Sequence, residues 1–282
     1  MASECTIRTM RRDEVDLAVE WAAAEGWNPG LHDAGCFLAA DPQGFLVGEL
    51  DGEPVAVISA VRYGRDFGFV GFYIVRPGAR GRGYGLAIWG EAMRRLEGRN
   101  VGLDGVVEQQ ANYRKSGFEL AHRNVRYEGR GSGSAERAPG IVDLASLPFE
   151  ELLAYDRPFF PAERRAFLSE WIAQPEAAAL GLTSGGRLAG YGVRRRCRNG
   201  FKIGPLFADG PGGAEQLYQA LAAGVPADAP LFLDVPEPNP EAVALAERHG
   251  MEVVFETARM YTGPAPALPV GRWYGVTSFE LG

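Results

Sequence analysis

The residues best suited to chemistry lie in the segment Arg80-Gly81-Arg82-Gly83-Tyr84-Gly85. A strand-like pattern ending at Pro77 precedes it and a helical pattern follows. Glycines in such a turn let successive backbone N–H groups point at one spot, and the helix N-terminus adds positive potential there. Arg80 and Arg82 bring charge for phosphate oxygens. The turn reads as an anion cradle. It is not a dinucleotide fingerprint, because the closing glycine of Gly-x-Gly-x-x-Gly is replaced by Leu86 or Ile88, depending on the starting glycine. Nor is it a P-loop, since no lysine follows the glycines. The strands before it are joined across Asp51-Gly52, a hairpin signal, where a dinucleotide fold opens with strand-helix-strand.

Periodicity supplies the elements that must position this turn. In the first half, strands are expected over 6–10, 44–50, 54–62, 69–75, 101–107 and 119–127. Helices are expected over 13–24 with Asp13 as N-cap, over 32–40, over 83–96 and through Tyr113. The second half repeats this order, with strands over 177–183, 187–196, 201–207, 231–235 and 252–261 and helices over 213–223 and 240–249. Landmarks recur: Leu103-Asp104 with Leu233-Asp234, the run ending Gly117-Phe118 with that ending Gly250-Met251, and Arg126-Tyr127 with Met260-Tyr261. This is the signature of a diverged internal duplication. Glycine and serine are dense over 129–139, which reads as a linker between a unit over 1–128 and a unit over 140–282. The class is α/β (α+β), each unit a mostly antiparallel twisted sheet with flanking helices.

Val75-Arg-Pro77, followed by Arg80-Gly-Arg-Gly83-Tyr-Gly85, resembles the acetyl-CoA signature of the GNAT N-acetyltransferase superfamily. Asn112-Tyr113-Arg-Lys115-Ser-Gly117-Phe118 resembles that family's second landmark, a tyrosine four residues before Gly-Phe. The resemblance covers roughly residues 5–128 and implies two tandem GNAT-like domains with acetyl-CoA as the cofactor. It further implies that the backbone of Ile74 and Val75 meets the thioester and pantetheine. The N–H groups from Arg80 through Gly81, Arg82, Gly83 and Tyr84 to Gly85 would hold the pyrophosphate, with Asn112 and Lys115 on the pantetheine side. In the second half the equivalent turn reads Phe207-Ala-Asp209-Gly-Pro211-Gly-Gly213. It has no arginine, Pro211 lacks an N–H, and Asp209 repels phosphate. That half is expected to keep the fold without the coenzyme site and to shape the acceptor pocket.

Acetyl transfer needs a neutral amine, a polarised thioester carbonyl and a proton for the departing thiolate. Positioning supplies much of the rate, and backbone N–H groups at the end of the 69–75 strand are suited to stabilising the oxyanion. Tyr113 stands at the family's proton-donor position. The base stays open among Asp66, Glu108, Glu25 and ordered water, since the 69–75 strand carries no carboxylate. Glu25, Trp27 and Asn28 form a candidate acceptor lip, with Trp27 alternatively capping the core. The run Arg194-Arg195-Arg196 is expected on a solvated strand, and Asn239 as an N-cap. Residues Trp273 to Phe279 would add an edge strand or line the cleft.

The 282 residues carry a net charge of −7, which disfavours a nucleic-acid partner and favours attraction of a cationic amine. Three scattered cysteines and three histidines offer no metal spacing and no disulfide framework, so no metal is expected. With no apolar span or leader pattern, a cytoplasmic monomer or homodimer away from membranes is expected. The expected activity is N-acetylation of a small-molecule amine. The competing readings are a protein or peptide N-acetyltransferase and a non-catalytic acetyl-CoA-binding module.

Overall fold

A computed structural model describes residues 5–133 and 138–282; the expected linker's residues 134–137 lie outside the described residues. The first half runs β1 (Thr6–Thr9), α1 (Val15–Ala24), α2 (Asp33–Ala40), β2 (Phe45–Leu50), β3 (Glu53–Tyr63), β4 (Phe67–Val75), α3 (Tyr84–Arg95), β5 (Asn100–Val106), α4 (Gln110–Lys115) and β6 (Glu119–Arg130). The second runs β7 (Ile141–Asp143), α5 (Phe149–Asp156), α6 (Arg165–Ile172), β8 (Ala178–Ser184), β9 (Arg187–Arg196), β10 (Phe201–Ala208), α7 (Pro211–Ala223), β11 (Pro230–Pro236), α8 (Pro240–Arg248), β12 (Glu252–Tyr261) and β13 (Trp273–Gly275). No described helix is long and apolar enough to cross a membrane.

Strand alternation distributes side chains between two layers. In β3, Val57 and Val61 join the core beneath α1 and α2, while Ala56, Ile58 and Ala60 join that beneath α3. The sheet is mixed and helix-flanked, as expected, but it is continuous. Its order is β1-β2-β3-β4-β5-β12-β6-β11-β10-β9-β8-β7, with β13 also beside β10. Only β4–β5 and β10–β11 pair in parallel. The two halves exchange their last long strands: β12 lies against β5, and β6 lies against β11.

Each exchanged strand carries an arginine to a buried aspartate of the other half. Arg259 of β12 donates to both carboxylate oxygens of Asp104 on β5, at 2.8 and 2.6 Å. Arg126 of β6 does the same to Asp234 on β11, at 2.6 and 2.8 Å. All four side chains are at most 4% exposed. The register therefore equates Arg126 with Arg259, one residue away from the expected match to Met260. Each arginine stands nine residues after its landmark glycine, Gly117 or Gly250.

Further expectations are corrected. The linker begins later than residue 129, because Gly129 and Arg130 extend β6 against β11. Asp13 lies inside a short 3-10 turn and does not cap α1. Helices α5 and α6 and strand β7 escaped the pattern reading; α6 packs on α2, with the Phe37 and Trp171 ring centroids 5.9 Å apart. The arginine run does lie on β9, yet Arg195 is 1% exposed, with its guanidinium on Asp33 and over the Trp171 ring. Strand alternation turns this middle arginine toward the face covered by α2 and α6.

Removing one member of a buried, bidentate ion pair leaves a charge without compensation, at a cost of ~3–5 kcal/mol. Arg126→Met should lower unfolding free energy by that order in a denaturant titration, and the double variant Arg126→Met/Asp234→Leu should recover most of the loss. A second check is by pH. His122 on β6 packs edge-on to Trp273 at 5.9 Å, and burial, reinforced by Arg259, lowers its pKa from 6.5 to about 4. The unfolded chain then binds this proton at a pH where the folded chain does not. Stability should fall as pH drops from about 6.5 to about 4, by ~2–3 kcal/mol. His122→Gln should flatten that part of the curve.

Candidate active site

β4 and β5 pair only from Phe67–Asn100 to Val70–Leu103 and then diverge. The cause is a bulge: Phe72 adopts φ 48°, and the β4 register against β3 shifts between Gly71 and Ile74. A left-handed phenylalanine costs about 1–3 kcal/mol. Its ring is fully buried, 5.5 Å from Phe37 and 6.1 Å from Phe45, which offsets that cost. Beyond the bulge, the facing edges of β4 and β5 have no strand partner among the described residues. They bound a cavity of about 530 Å³.

The glycine-rich turn sits at the mouth of this wedge. Gly81 and Gly83 take φ values of 77° and 90°, which L side chains rarely adopt. Among the described residues, the N–H groups from Gly81 to Leu86 find no acceptor; the first bond into α3 is from Ala87 to Gly83. Gly85 gives close approach: a Cβ there would lie 2.8 Å from the Tyr73 hydroxyl. Free amides at a helix start fit a pyrophosphate, and an open strand edge fits an extended arm bearing amides. Arg80 has a different task from the expected one. Its Nε donates to the Val75 carbonyl at 2.9 Å and its guanidinium pairs with Glu25, so it braces the turn against the loop after α1.

Tyr113 lines the cavity from α4, its ring centroid 5.7 Å from Trp89. The ring rests on Gly105, where a Cβ would fall 2.1 Å from Cε2. Burial, with Tyr73 nearby, pushes its pKa up to about 12, so the hydroxyl keeps its proton through neutral pH.

Of the other sequence candidates, Ile74, Val75, Gly81, Glu25 and Trp27 also line the cavity. Arg82, Gly83 and Tyr84 belong to the turn outside the lining. Asn112 and Lys115 bond to each other at 3.0 Å and are not in the lining, while Asn112 also donates to Gln109, a lining residue, at 2.7 Å. Asn28 exchanges hydrogen bonds with the backbone of Asn199, at 2.9 and 3.0 Å, and ties the loop to the β9–β10 hairpin. Of the base candidates, Asp66 lies in the β3–β4 turn at the far end of the sheet, and neither it nor Glu108 lines the cavity. Sequence reasoning missed Phe255 and Thr257 of β12 and Glu280, which line the cavity together with Phe279, the last residue of the segment expected to add an edge strand or line the cleft. No signal near the motifs could have found them, because strand exchange brings them there.

The second half contains the same wedge. β10 and β11 pair from Phe201–Leu231 to Ile203–Leu233 and then part. β13 enters that gap, pairing with β10 at Leu206 and Phe207, and the Val276 N–H donates to the Asp234 carbonyl at 2.7 Å. Asn239 caps α8 and holds β13 through the Trp273 carbonyl at 2.9 Å. Asp209 accepts from Tyr155 at 2.9 Å and Arg272 at 2.5 Å. The chain itself fills this wedge.

These features agree with comparisons to known proteins. A model described as "Acetyltransferase (GNAT) family" matches residues 9–118, and one described as "Acetyltransferase (GNAT) domain" matches residues 152–275. A holothin acyltransferase of Pseudoalteromonas sp. (strain SANK 73390) is 32% identical over 270 residues, covering 96% of this chain and 92% of that protein. The chain belongs to the GNAT acetyltransferase family. It is thus an acyltransferase with two GNAT units. The fold of a putative acetyltransferase from Pyrococcus horikoshii superposes with TM-score 0.82 at 24% identity, covering 99% of this chain and 96% of that one. A tandem GNAT protein from the clavulanic acid biosynthesis pathway superposes with TM-score 0.63 at 16% identity, covering 93% and 100%.

In this GNAT chain a Cβ at Gly71 would lie 2.0 Å from the Glu280 carbonyl. Gly71→Ala must therefore displace residues 279–281 from the cavity wall. Steady-state kinetics should show acyl transfer falling at least about tenfold, a misplacement effect.

Proposed function

We propose that this chain is an N-acetyltransferase that moves the acetyl group of acetyl-CoA to a primary amine of a small molecule, by direct attack in a ternary complex. The observation that carries this reading is the open β4–β5 wedge, with free amides at its mouth and Tyr113 on its wall. Acetyl-CoA would supply the thioester chemistry. The N–H groups of residues 81–86 would bind its pyrophosphate, and the β4 edge from Gly71 to Val75 would orient its arm. Tyr113 holds a proton for the departing sulfur.

Two things support a small acceptor. Part of the cavity wall comes from Trp27, Phe255 and Phe279, apolar rings suited to a compact, flat molecule. The relative named for holothin also points to a small acceptor.

Coenzyme A at about 100 times its Kd should stabilise the protein by ~2.7 kcal/mol, read as a thermal shift. Thiol release from acetyl-CoA should then occur with holothin or another primary amine in a panel. Tyr113→Phe should reduce kcat about 100-fold while the coenzyme A shift is kept. No coenzyme shift in the wild type would refute the proposed cofactor.

A further inference from the structure

We propose that Glu280 is the carboxylate that receives the acceptor, holding its ammonium group and taking its proton. This rests on the N-acetyltransferase reading above and supplies the base that the motifs leave unassigned.

Three carboxylates line the cavity: Glu25, Asp104 and Glu280. Glu25 is committed to Arg80. Asp104 is closed off by Arg259 on both oxygens and by Asn124 at 2.8 Å. Glu280 is 5% exposed, yet neither of its carboxylate oxygens is sealed from solvent, and no described residue donates a hydrogen bond to them. A buried carboxylate open only toward a cavity has lost most of its water and holds donor sites for a ligand.

Buried cations lie close to it. Behind the cavity lie three buried cations, Arg126, Arg195 and Lys202, but only two directly paired anions, Asp234 and Asp33. Lys202 Nζ is 3.9 Å from Asp234. Glu280 is within electrostatic reach of all three cations and makes the count even. Its backbone is held as firmly: the Glu280 carbonyl abuts Gly71, the Leu281 N–H donates to Ser278 at 3.1 Å, and the Leu281 carbonyl accepts from Tyr63 at 3.3 Å.

In the step itself, the ammonium proton passes to Glu280, which later releases it to solvent, and frees the nitrogen lone pair. That pair forms the C–N bond to the thioester carbonyl carbon. The C–S pair leaves with sulfur, which takes the Tyr113 proton, and the nitrogen's second proton returns to the tyrosine through water.

The test compares wild type, Glu280→Gln and Glu280→Ala in thiol release with holothin, tryptamine, histamine and spermidine from pH 6 to 9, alongside coenzyme A thermal shifts and melting curves. The expected result is a loss of at least about 100-fold in kcat/KM in both variants, with the coenzyme shift intact. Added formate should restore part of the Glu280→Ala rate. A structural counter-ion would not produce formate rescue. Wild-type kcat/KM in Glu280→Gln across the pH range, or a loss of rate without formate rescue in Glu280→Ala, would overturn the proposal. If the wild type acetylates no amine, the transfer reading falls, and Glu280 is judged by calorimetric binding of the same amines. Binding equal in wild type and Glu280→Gln overturns it; binding lost in the variant supports its role as the ammonium site.

Discussion

The structure depends on two arginines that sit in the wrong half of the chain. Arg259 and Arg126 each cross from the last strand of one unit to a buried aspartate of the other. An aspartate within a sheet covered on both faces is tolerated only with a partner that satisfies it fully. A bidentate guanidinium does so with fixed geometry. Pairing therefore fixes the register of each exchanged strand. With both exchanges made, the result is one sheet whose order reads the same from either end.

That exchange also creates the site. β12 brings Phe255 and Thr257 to the cavity of the first unit, and the segment after β13 brings Phe279 and Glu280. The second unit therefore contributes part of this cavity's wall while giving up its own wedge. The asymmetry between the wedges is simple. Both pairs of parallel strands part after three or four rungs. In one, the edges stay open beside a turn with free amides. In the other, β13 and Asn239 satisfy the edges, and Asp209 is tied to Tyr155 and Arg272. A duplicated fold thus carries one cavity with the means to bind an anionic cofactor.

Within the open wedge, small local choices decide the geometry. Phe72 accepts an unfavourable backbone conformation because two aromatic rings hold its side chain, and this bulge separates β4 from β5. Arg80 braces the mouth instead of reaching outward. The aromatic ring of Tyr113 lies where it does because Gly105 has no side chain.

Much of this was legible in the residue order. Alternation and turn chemistry placed most strands and helices within two or three residues. The glycines at 81 and 83 announced a left-handed turn, and the Tyr113-x-x-x-Gly117-Phe118 spacing named its companion, because such features are local. The duplication was legible too, although matching the two tyrosines set its last landmark one residue off. What only the tertiary structure decided was non-local. Strand exchange, the burial of Arg195 against Asp33, the tie of Asn28 to Asn199, and the arrival of Glu280 at the cavity that Tyr113 lines are all contacts between distant parts of the chain. Hydrogen-bonding edges are chemically alike along a chain. What favours one pairing is the burial of the side chains it brings together, and that energy exists only once the two halves have met.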